Sequence, residues 1–417
     1  MPAETRVLVL GSSTINKGAE AMLRTVMAEL GGRLGPTTFL VGDHRVRQWD
    51  VDGVVKAGAV PADIQTPGRL AGALERFRYL QTAPEPKTYW EHLPALFPYA
   101  KALAESVDAA VDVSGFLFSD QRGEVGKGMV PVVDAFRRAG KPFVFLPQAW
   151  GPFETEGVRR ITRRAVEGAD LVFARDDTSL RYLESLDVEA SIEQAPDMAF
   201  LFVPSERGEE LVRTLRVDSS RPLAAIAPNI RVYERTPGEG QDNLYAKALV
   251  LAAEALVERG AHVILIPHEI LASGAEGTDD RYLCEMIARL ADSPYVTAAL
   301  ANRSAEDFKA IVGECDLMVG SRFHALVASL SCGVPSVAIG WAHKYPELFG
   351  EFGLEGLVID HDRLTTDELV SVVNDVWSRR GALREQLASA LPLVKQRSRA
   401  AFDATAELIR ERTGRTQ

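Results

Sequence analysis

The feature that most limits the fold is an alternation that runs along the chain twice: short, nearly continuous apolar runs, each followed by an amphipathic stretch of helical period. In the first series the apolar runs are residues 6–10, 38–41, 109–113, 142–146 and 171–174, with helices expected over 19–30, 98–106, 128–139, 157–168 and 179–186. Strands that are apolar on both faces cannot leave either face in water, and the intervening helices supply the cover. The pattern therefore dictates a parallel sheet with helices on both sides.

A polar, proline-containing passage over 202–222, with a helix-like stretch at 207–215, interrupts the alternation, which then restarts. The second series has strand candidates at 223–227, 263–266, 296–300, 317–319 and 336–339, and helices at 244–259, 281–291, 304–313 and 325–332. The expected fold class is α/β, with two Rossmann-like domains whose parallel sheets face a cleft. The expected division is an N-terminal domain over 1–204, a linker over 205–222 and a C-terminal domain over 223–417 that includes the C-terminal helices. One segment departs from the alternation: residues 68–106 begin helical and aromatic-rich, with Phe77, Tyr79, Tyr89, Trp90 and Phe97, and read either as an inserted helical pair packed on the sheet or as an acceptor-binding or oligomer surface.

Composition removes several function classes. At 417 residues with 46% hydrophobic and 25% charged side chains, the chain has enough material for two cores. Its formal net charge of -11 argues against nucleic acid or an anionic membrane as a general partner, so an anionic ligand would need a local basic pocket. The cysteines are Cys284, Cys315 and Cys332, spaced for neither a disulfide framework nor a thiolate zinc site, which fits the cytosol. The first apolar run begins by residue 7 without a basic leader, and no apolar run approaches the roughly 18 to 20 residues of a membrane span. The expectation is a cytoplasmic protein that is not an integral membrane protein, with peripheral association left open.

The residues suited to chemistry collect where strands end, as they do in open α/β sheets. The stretch Gly320-Ser321-Arg322-Phe323-His324 follows the strand at 317–319 and opens a helix, so a guanidinium, an imidazole and free backbone N–H groups converge where an anion could sit. His268 and His343 follow other strands of the same series, and Lys344 arrives beside His343. Asn229 and Arg231 leave the strand at 223–227, and read either as a second anion clamp or as part of an ordinary surface loop.

In the first domain Asn16, Lys17 and Gly18 precede a helix in a loop suited to a phosphate or a sugar hydroxyl, although it is neither a dinucleotide fingerprint nor a Walker A loop. Ser114 and Gly115, then Gln148 and Trp150, then Arg175 leave three further strands; Gln148 and Trp150 either face a sugar or belong to a packed loop. No Ser-His-Asp order and no His-x-x-x-His metal spacing occurs.

Taken in order, Asn16-Lys-Gly-Ala-Glu-Ala21, Ser114-Gly115, Gln148-Ala-Trp-Gly-Pro152, Arg175-Asp-Asp-Thr-Ser179, Pro196-Asp-Met-Ala199, Ser321-Arg-Phe-His324 and Gly333-Val-Pro-Ser-Val-Ala-Ile339 make the chain similar to the polysaccharide pyruvyl transferases. The resemblance implies a GT-B-like fold. It also implies transfer of the pyruvyl group of phosphoenolpyruvate to a sugar or glycan-lipid acceptor as a ketal, with phosphate released and no cofactor or metal. The family's Arg-x-His hallmark maps onto Arg322 and His324, which are expected to be catalytic, His324 as general acid or as the group that neutralises the leaving phosphate. Donor binding is then expected at Arg231, Asn229, Ser321, Lys344, His268 and His343, and acceptor binding at Asn16, Lys17, Gly18, Ser114, Gly115, Gln148, Trp150 and Arg175. Ser114-Gly115-Phe116 stands where many relatives carry a doubled or tripled glycine, so no particular acceptor is implied. Two other readings are a GT-B glycosyltransferase using a nucleotide sugar and a non-catalytic glycan-binding member of the family.

Overall fold

A computed structural model describes residues 4–12, 15–42, 54–56, 97–271 and 279–414. The chain forms two compact units, one of Met1–Thr14, Met22–Met198 and Arg397–Gln417, the other of Ile15–Ala21 and Ala199–Gln396.

The first unit is built on a seven-stranded sheet comprising β1 (Thr5–Leu10), β2 (Thr37–Gly42), β3 (Val54–Lys56), β4 (Ala109–Asp112), β5 (Phe143–Gln148), β6 (Leu171–Ala174) and β7 (Ile192–Gln194). All its pairings are parallel and the order is β3-β2-β1-β4-β5-β6-β7. The order reverses between β1 and β4, where Leu10 lies opposite Asp112. Such a reversal sends the two following connections to opposite faces and opens a crevice at the carboxyl ends of those strands.

Hydrophobic burial fixes the strands in this sheet. Val7, Leu8 and Val9 are fully buried on successive residues, which requires cover on both faces. Phe118 stacks on Trp150 at 5.1 Å and Phe145 meets the same indole edge-on at 5.4 Å. The helix Met129–Ala139 stops at Gly140, whose φ of 67° lets its N–H reach back to the carbonyls of Phe136 and Arg137.

The second unit carries six parallel strands, β8 (Leu223–Ala227), β9 (His262–Leu265), β10 (Val296–Ala298), β11 (Leu317–Gly320), β12 (Ser336–Gly340) and β13 (Val358–Asp360). Their order is β10-β9-β8-β11-β12-β13, so the reversal falls between β8 and β11, with Ala227 opposite Gly320. Asn243 starts the helix Leu244–Glu258: its side-chain oxygen accepts from the Ala246 N–H, while its Nδ2 donates to the carbonyls of Tyr233, Thr236 and Gly238.

The two parallel α/β sheets are as the alternation predicts. Strands β3, β7 and β13 are additions of three residues each, too short to leave a periodic apolar signal. The observed units differ from the expected boundaries at both ends of the chain. Residues 15–21 join the second unit because their backbone pairs with the loop after β9: Asn16 bridges antiparallel to Glu269, Lys17 N–H donates to the His268 carbonyl at 3.1 Å, and Ile270 N–H donates to that of Ile15 at 3.0 Å. The final helix, Arg380–Thr413, assigns its part from Arg397 onward to the first unit, where Phe402, Ala406 and Ile409 are buried and Asp403 pairs with Arg33 at 2.7 Å. Of the 68–106 segment only the helix Phe97–Ser106 lies among the described residues; His44 and His92 lie outside them.

Candidate functional site

The second sheet's reversal point assembles a buried polar cluster. Asn229 leaves β8 and Ser321 leaves β11, and the Asn229 side chain donates to the Ser321 carbonyl at 3.0 Å. Tyr245 joins the same two loops: its hydroxyl accepts from the Asn229 N–H and donates to Ser321 Oγ, at 2.9 and 2.8 Å. Tyr345 adds a bond to the Ser321 carbonyl at 2.8 Å. Asn229 also caps the helix Ile230–Arg235 by accepting from the Arg231 N–H. Asn229 and Ser321 therefore hold the loops in place, a structural task where donor binding was expected.

Arg322 is paired as well. Its guanidinium is turned onto two carboxylates, donating to Asp280 through Nε (2.9 Å) and Nη2 (2.5 Å) and to Glu269 through Nη1 (2.7 Å). Asp280 additionally accepts from the backbone N–H groups of Ile230, His268 and Glu269. Burial pushes the Asp280 carboxyl upward against the pull of Arg322, whereas for Glu269 the opposing pull of Arg322 and Arg231 outweighs burial and the carboxyl is held low. Arg231 is half-exposed and bonds to Glu234 and Glu269. Both guanidinium groups expected to clamp an anion are thus answered by carboxylates, which fix the loop after β9 against the loops after β8 and β11. The sequence signal for Asp280 was available as the acidic first residue of a helix, but its partner lay 42 positions away.

What converges near His324 is different. His324 sits in the first turn of the helix Phe323–Ser331, and the backbone of Gly18 lies so close that a Cβ placed there would be 2.3 Å from the His324 Cβ and Cγ. Asn16, Lys17 and Gly18, expected on the acceptor side of the first domain, therefore stand beside His324 in the second unit. The physical reason is the backbone pairing of this segment with residues 268–270, which a reading of local spacing cannot anticipate.

His268 is 2% exposed and its Nδ1 has no hydrogen-bond partner among the described residues. Burial, reinforced by the charges of Arg322, His324 and Lys17, holds its pKa well below the usual imidazole range, so it is a neutral ring. Lys17 pairs with Glu20 at 3.2 Å. Lys344 is buried against aromatic rings, its Nζ 4.3 Å from the Trp341 centroid and 5.4 Å from that of Phe323, with His343 immediately before it.

The reversal point of the first sheet holds a second polar group. Ser114 lies beyond β4, and both oxygens of Asp112 contact its Oγ, at 2.6 and 2.5 Å, while Ser114 N–H donates to Asp112 Oδ2 at 3.0 Å. The Gly115 carbonyl accepts from the Ala149 N–H at 3.0 Å, which ties this loop to the one after β5. Gln148, at the end of β5, is fully buried and both its amide atoms lack a partner among the described residues. Trp150 is no sugar platform: it is fully buried and donates Nε1–H to the Phe173 carbonyl at 3.0 Å. Arg175 is likewise interior, paired with Asp197 at 2.6 Å. Asp112 was missed by the sequence reading, although a carboxylate inside Ala-Ala-Val-Asp-Val is a visible anomaly in a strand.

A family model described as polysaccharide pyruvyl transferase matches residues 16–343, a span that contains the reversal point of the second sheet and the segment against His324. The chain belongs to the polysaccharide pyruvyl transferase family. Its relative AmsJ, an amylovoran biosynthesis protein of Erwinia amylovora, is 22% identical over 297 residues, which cover 68% of this chain and 69% of AmsJ. Among solved structures, sucrose-phosphate synthase from Thermosynechococcus elongatus is similar with a TM-score of 0.62 at 12% identity, covering 99% of this pyruvyl transferase family chain and all (100%) of that one. A UDP-GlcNAc 2-epimerase from Neisseria meningitidis gives a TM-score of 0.56 at 9% identity, with 99% of each chain covered. These likenesses show a GT-B-like, two-domain α/β fold. Among the described residues no helix is long and apolar enough to cross a membrane.

Proposed function

We propose that this family member transfers the pyruvyl group of phosphoenolpyruvate to two hydroxyls of one sugar, forming a ketal and releasing phosphate. The observation that carries the reading is the placement of His324, beside the backbone of Gly18, at the reversal point of the second sheet. Lys17 lies in the same segment as Gly18, and Lys344 follows the adjoining strand β12. Phosphoenolpyruvate carries a carboxylate and a phosphate, and a chain with net charge -11 can hold it only where cationic groups and backbone N–H donors gather. In this proposal Arg322, engaged by carboxylates, positions the loop that presents His324, and Lys17, itself paired with Glu20, and Lys344, set against aromatic rings, are the donor-facing cations.

The reaction needs a proton at the methylene carbon of phosphoenolpyruvate, which leaves a cationic C2. One sugar hydroxyl adds to C2 and gives up its proton; the C2–O bond to phosphate then breaks, and the second hydroxyl closes the ring and gives up its own proton. Of the two hydroxyl protons one replaces that delivered to the methylene and the other leaves with phosphate. An imidazole near neutrality can serve either transfer, and His324 is assigned the acid role toward the methylene or the departing phosphate.

The test is incubation with phosphoenolpyruvate and sugar acceptors, reading inorganic phosphate and the acceptor mass together. Phosphate release with a pyruvyl ketal on the sugar supports the reading. Release of a nucleoside diphosphate from a sugar nucleotide instead would place the protein with the glycosyltransferases. Replacing His324 by Ala is expected to lower turnover at least about 100-fold while leaving the melting temperature unchanged.

A further inference from the structure

The two carboxylates that hold Arg322 are themselves held very differently. Asp280 is fully buried and accepts from Arg322 Nε and Nη2 and from the backbone N–H groups of Ile230, His268 and Glu269. The Glu269 carboxylate spans two guanidinium groups, Oε2 to Arg322 Nη1 at 2.7 Å and Oε1 to Arg231 Nη2 at 3.3 Å, and has no other partner among the described residues. Its side chain is 16% exposed and that of Arg231 48%, against none for Asp280, so the cluster opens to solvent at the Glu269 end.

The Glu269 backbone is fixed where its side chain is not. It bridges antiparallel to Asn16, and its N–H donates to Asp280 at 2.8 Å. Rotation about the side-chain bonds therefore carries the carboxylate away without moving the loop after β9. Two residues beyond Asn16, Gly18 abuts His324, which sets Glu269 at the margin of the donor site. Charge then decides between adding an anion and exchanging one. Arg231 and Arg322 already face three carboxylates, of Glu234, Glu269 and Asp280. A ligand carboxylate brought to them would be a fourth, and like charges within about 4–6 Å disfavour one another. Exchanged for Glu269, it leaves the local charge as it was and both guanidinium groups paired.

We propose that Glu269 is a built-in competitor of the donor: its carboxylate occupies the place of a ligand carboxylate between Arg231 and Arg322, and phosphoenolpyruvate binds by displacing it. This rests on the pyruvyl-transfer reading and concerns how access to that donor site is controlled. The donor's phosphate is left to Lys17 and Lys344. Arg322 keeps its bonds to Asp280 throughout, so the loop that presents His324 stays in place during the exchange. The contact lowers the apparent affinity for the donor, since only chains with Glu269 turned out are competent to bind. It also discriminates, because an anion without a carboxylate does not restore the bonds that Glu269 gives up.

Isothermal calorimetry on the full chain tests the exchange, with phosphoenolpyruvate and methyl phosphate, which lacks the carboxylate, as probes. In Glu269→Gln the dissociation constant for phosphoenolpyruvate is expected to fall about 10-fold, while that for methyl phosphate changes less than about twofold. Glu269→Asp keeps the charge but is a methylene too short to bridge both guanidinium groups, and is expected to tighten phosphoenolpyruvate severalfold. That arm separates displacement from the loss of a negative charge. Unchanged or weaker binding of phosphoenolpyruvate by a Glu269→Gln protein that melts as wild type does overturns the proposal, and so does equal tightening of both probes. Should that variant not fold, unchanged or weaker binding in Glu269→Asp overturns it equally. Tighter binding in the variants without pyruvyl transfer to any acceptor removes the reaction and leaves the exchange standing. Transfer by the wild type, with variants that bind no more tightly, removes the exchange alone. Phosphoenolpyruvate that binds neither wild type nor variants removes both.

Discussion

At the scale of single residues, the same loop carries two kinds of group whose replacement has opposite signatures. Arg322 and Asp280 are a buried pair, so Arg322→Ala leaves Asp280 without its partner and is expected to cost about 3–5 kcal/mol, read as a lower urea midpoint. His324→Ala is expected to show its effect in turnover more than in that midpoint. A loss of activity in the arginine variant is then a folding result before it is a binding result. Gly18→Ala tests the close approach to His324, since its methyl would fall 2.3 Å from the His324 Cβ and force a shift; turnover should drop sharply and the melting temperature should fall as well. Asp112 predicts a pH effect on stability. Its folded pKa of about 7 lies above the ordinary value of 3.8, so the folded state holds the proton more tightly and its contribution is fully present below about pH 4. That contribution is lost as pH rises through about 7, amounting to roughly 4 kcal/mol for a shift of some three units. Asp112→Asn removes the dependence, so its unfolding free energy relative to wild type should rise between about pH 5 and about pH 8.

At the scale of elements, the strands and their parallel pairing were legible because burial on both faces writes unbroken apolar runs, as in Val7-Leu8-Val9. The loops were legible in position but not in allegiance. Asn229, Ser321 and Arg322 sit at the strand ends where sites form, yet each is bound to a partner far along the chain: Asn229 to Ser321, Ser321 to Tyr245 and Arg322 to Asp280. Nothing in local spacing distinguishes a guanidinium offered to a ligand from one that staples two loops. Trp150 shows the same limit, because an aromatic after a strand reads equally as platform or as core, and stacking on Phe118 decides for the core. Tyr245→Phe is the test of the stapling role: it removes the hydroxyl that joins Asn229 N–H to Ser321 Oγ and is expected to cost about 1–3 kcal/mol in chemical denaturation.

At the scale of the whole molecule, two parallel sheets of similar plan were readable from the restart of the alternation, while the assignment of the chain's two ends was not. The last turns of the helix Arg380–Thr413 belong to the first unit through Arg33–Asp403, Arg412–Asp170 and the buried Phe402 and Ile409. Deleting residues 397–417 should therefore lower the unfolding midpoint of the first unit and spare the second. Because the chain has five tryptophans, variants that retain only Trp150 or only Trp341 report the first and the second transition.

The short segment Ile15–Ala21 carries a consequence for how such chains diversify. It lies between two stretches of the first unit, yet it supplies the glycine that abuts His324 in the second. Recombination between relatives at a junction near residue 199 would exchange most of the second unit while leaving this segment behind with the first. Hybrids made that way should function only where the other parent's loop after β9 and helix at Phe323 accept a foreign Asn16-Lys17-Gly18. The two halves of the gene are thereby bound to a common history by seven residues that the first half encodes and the second half packs against.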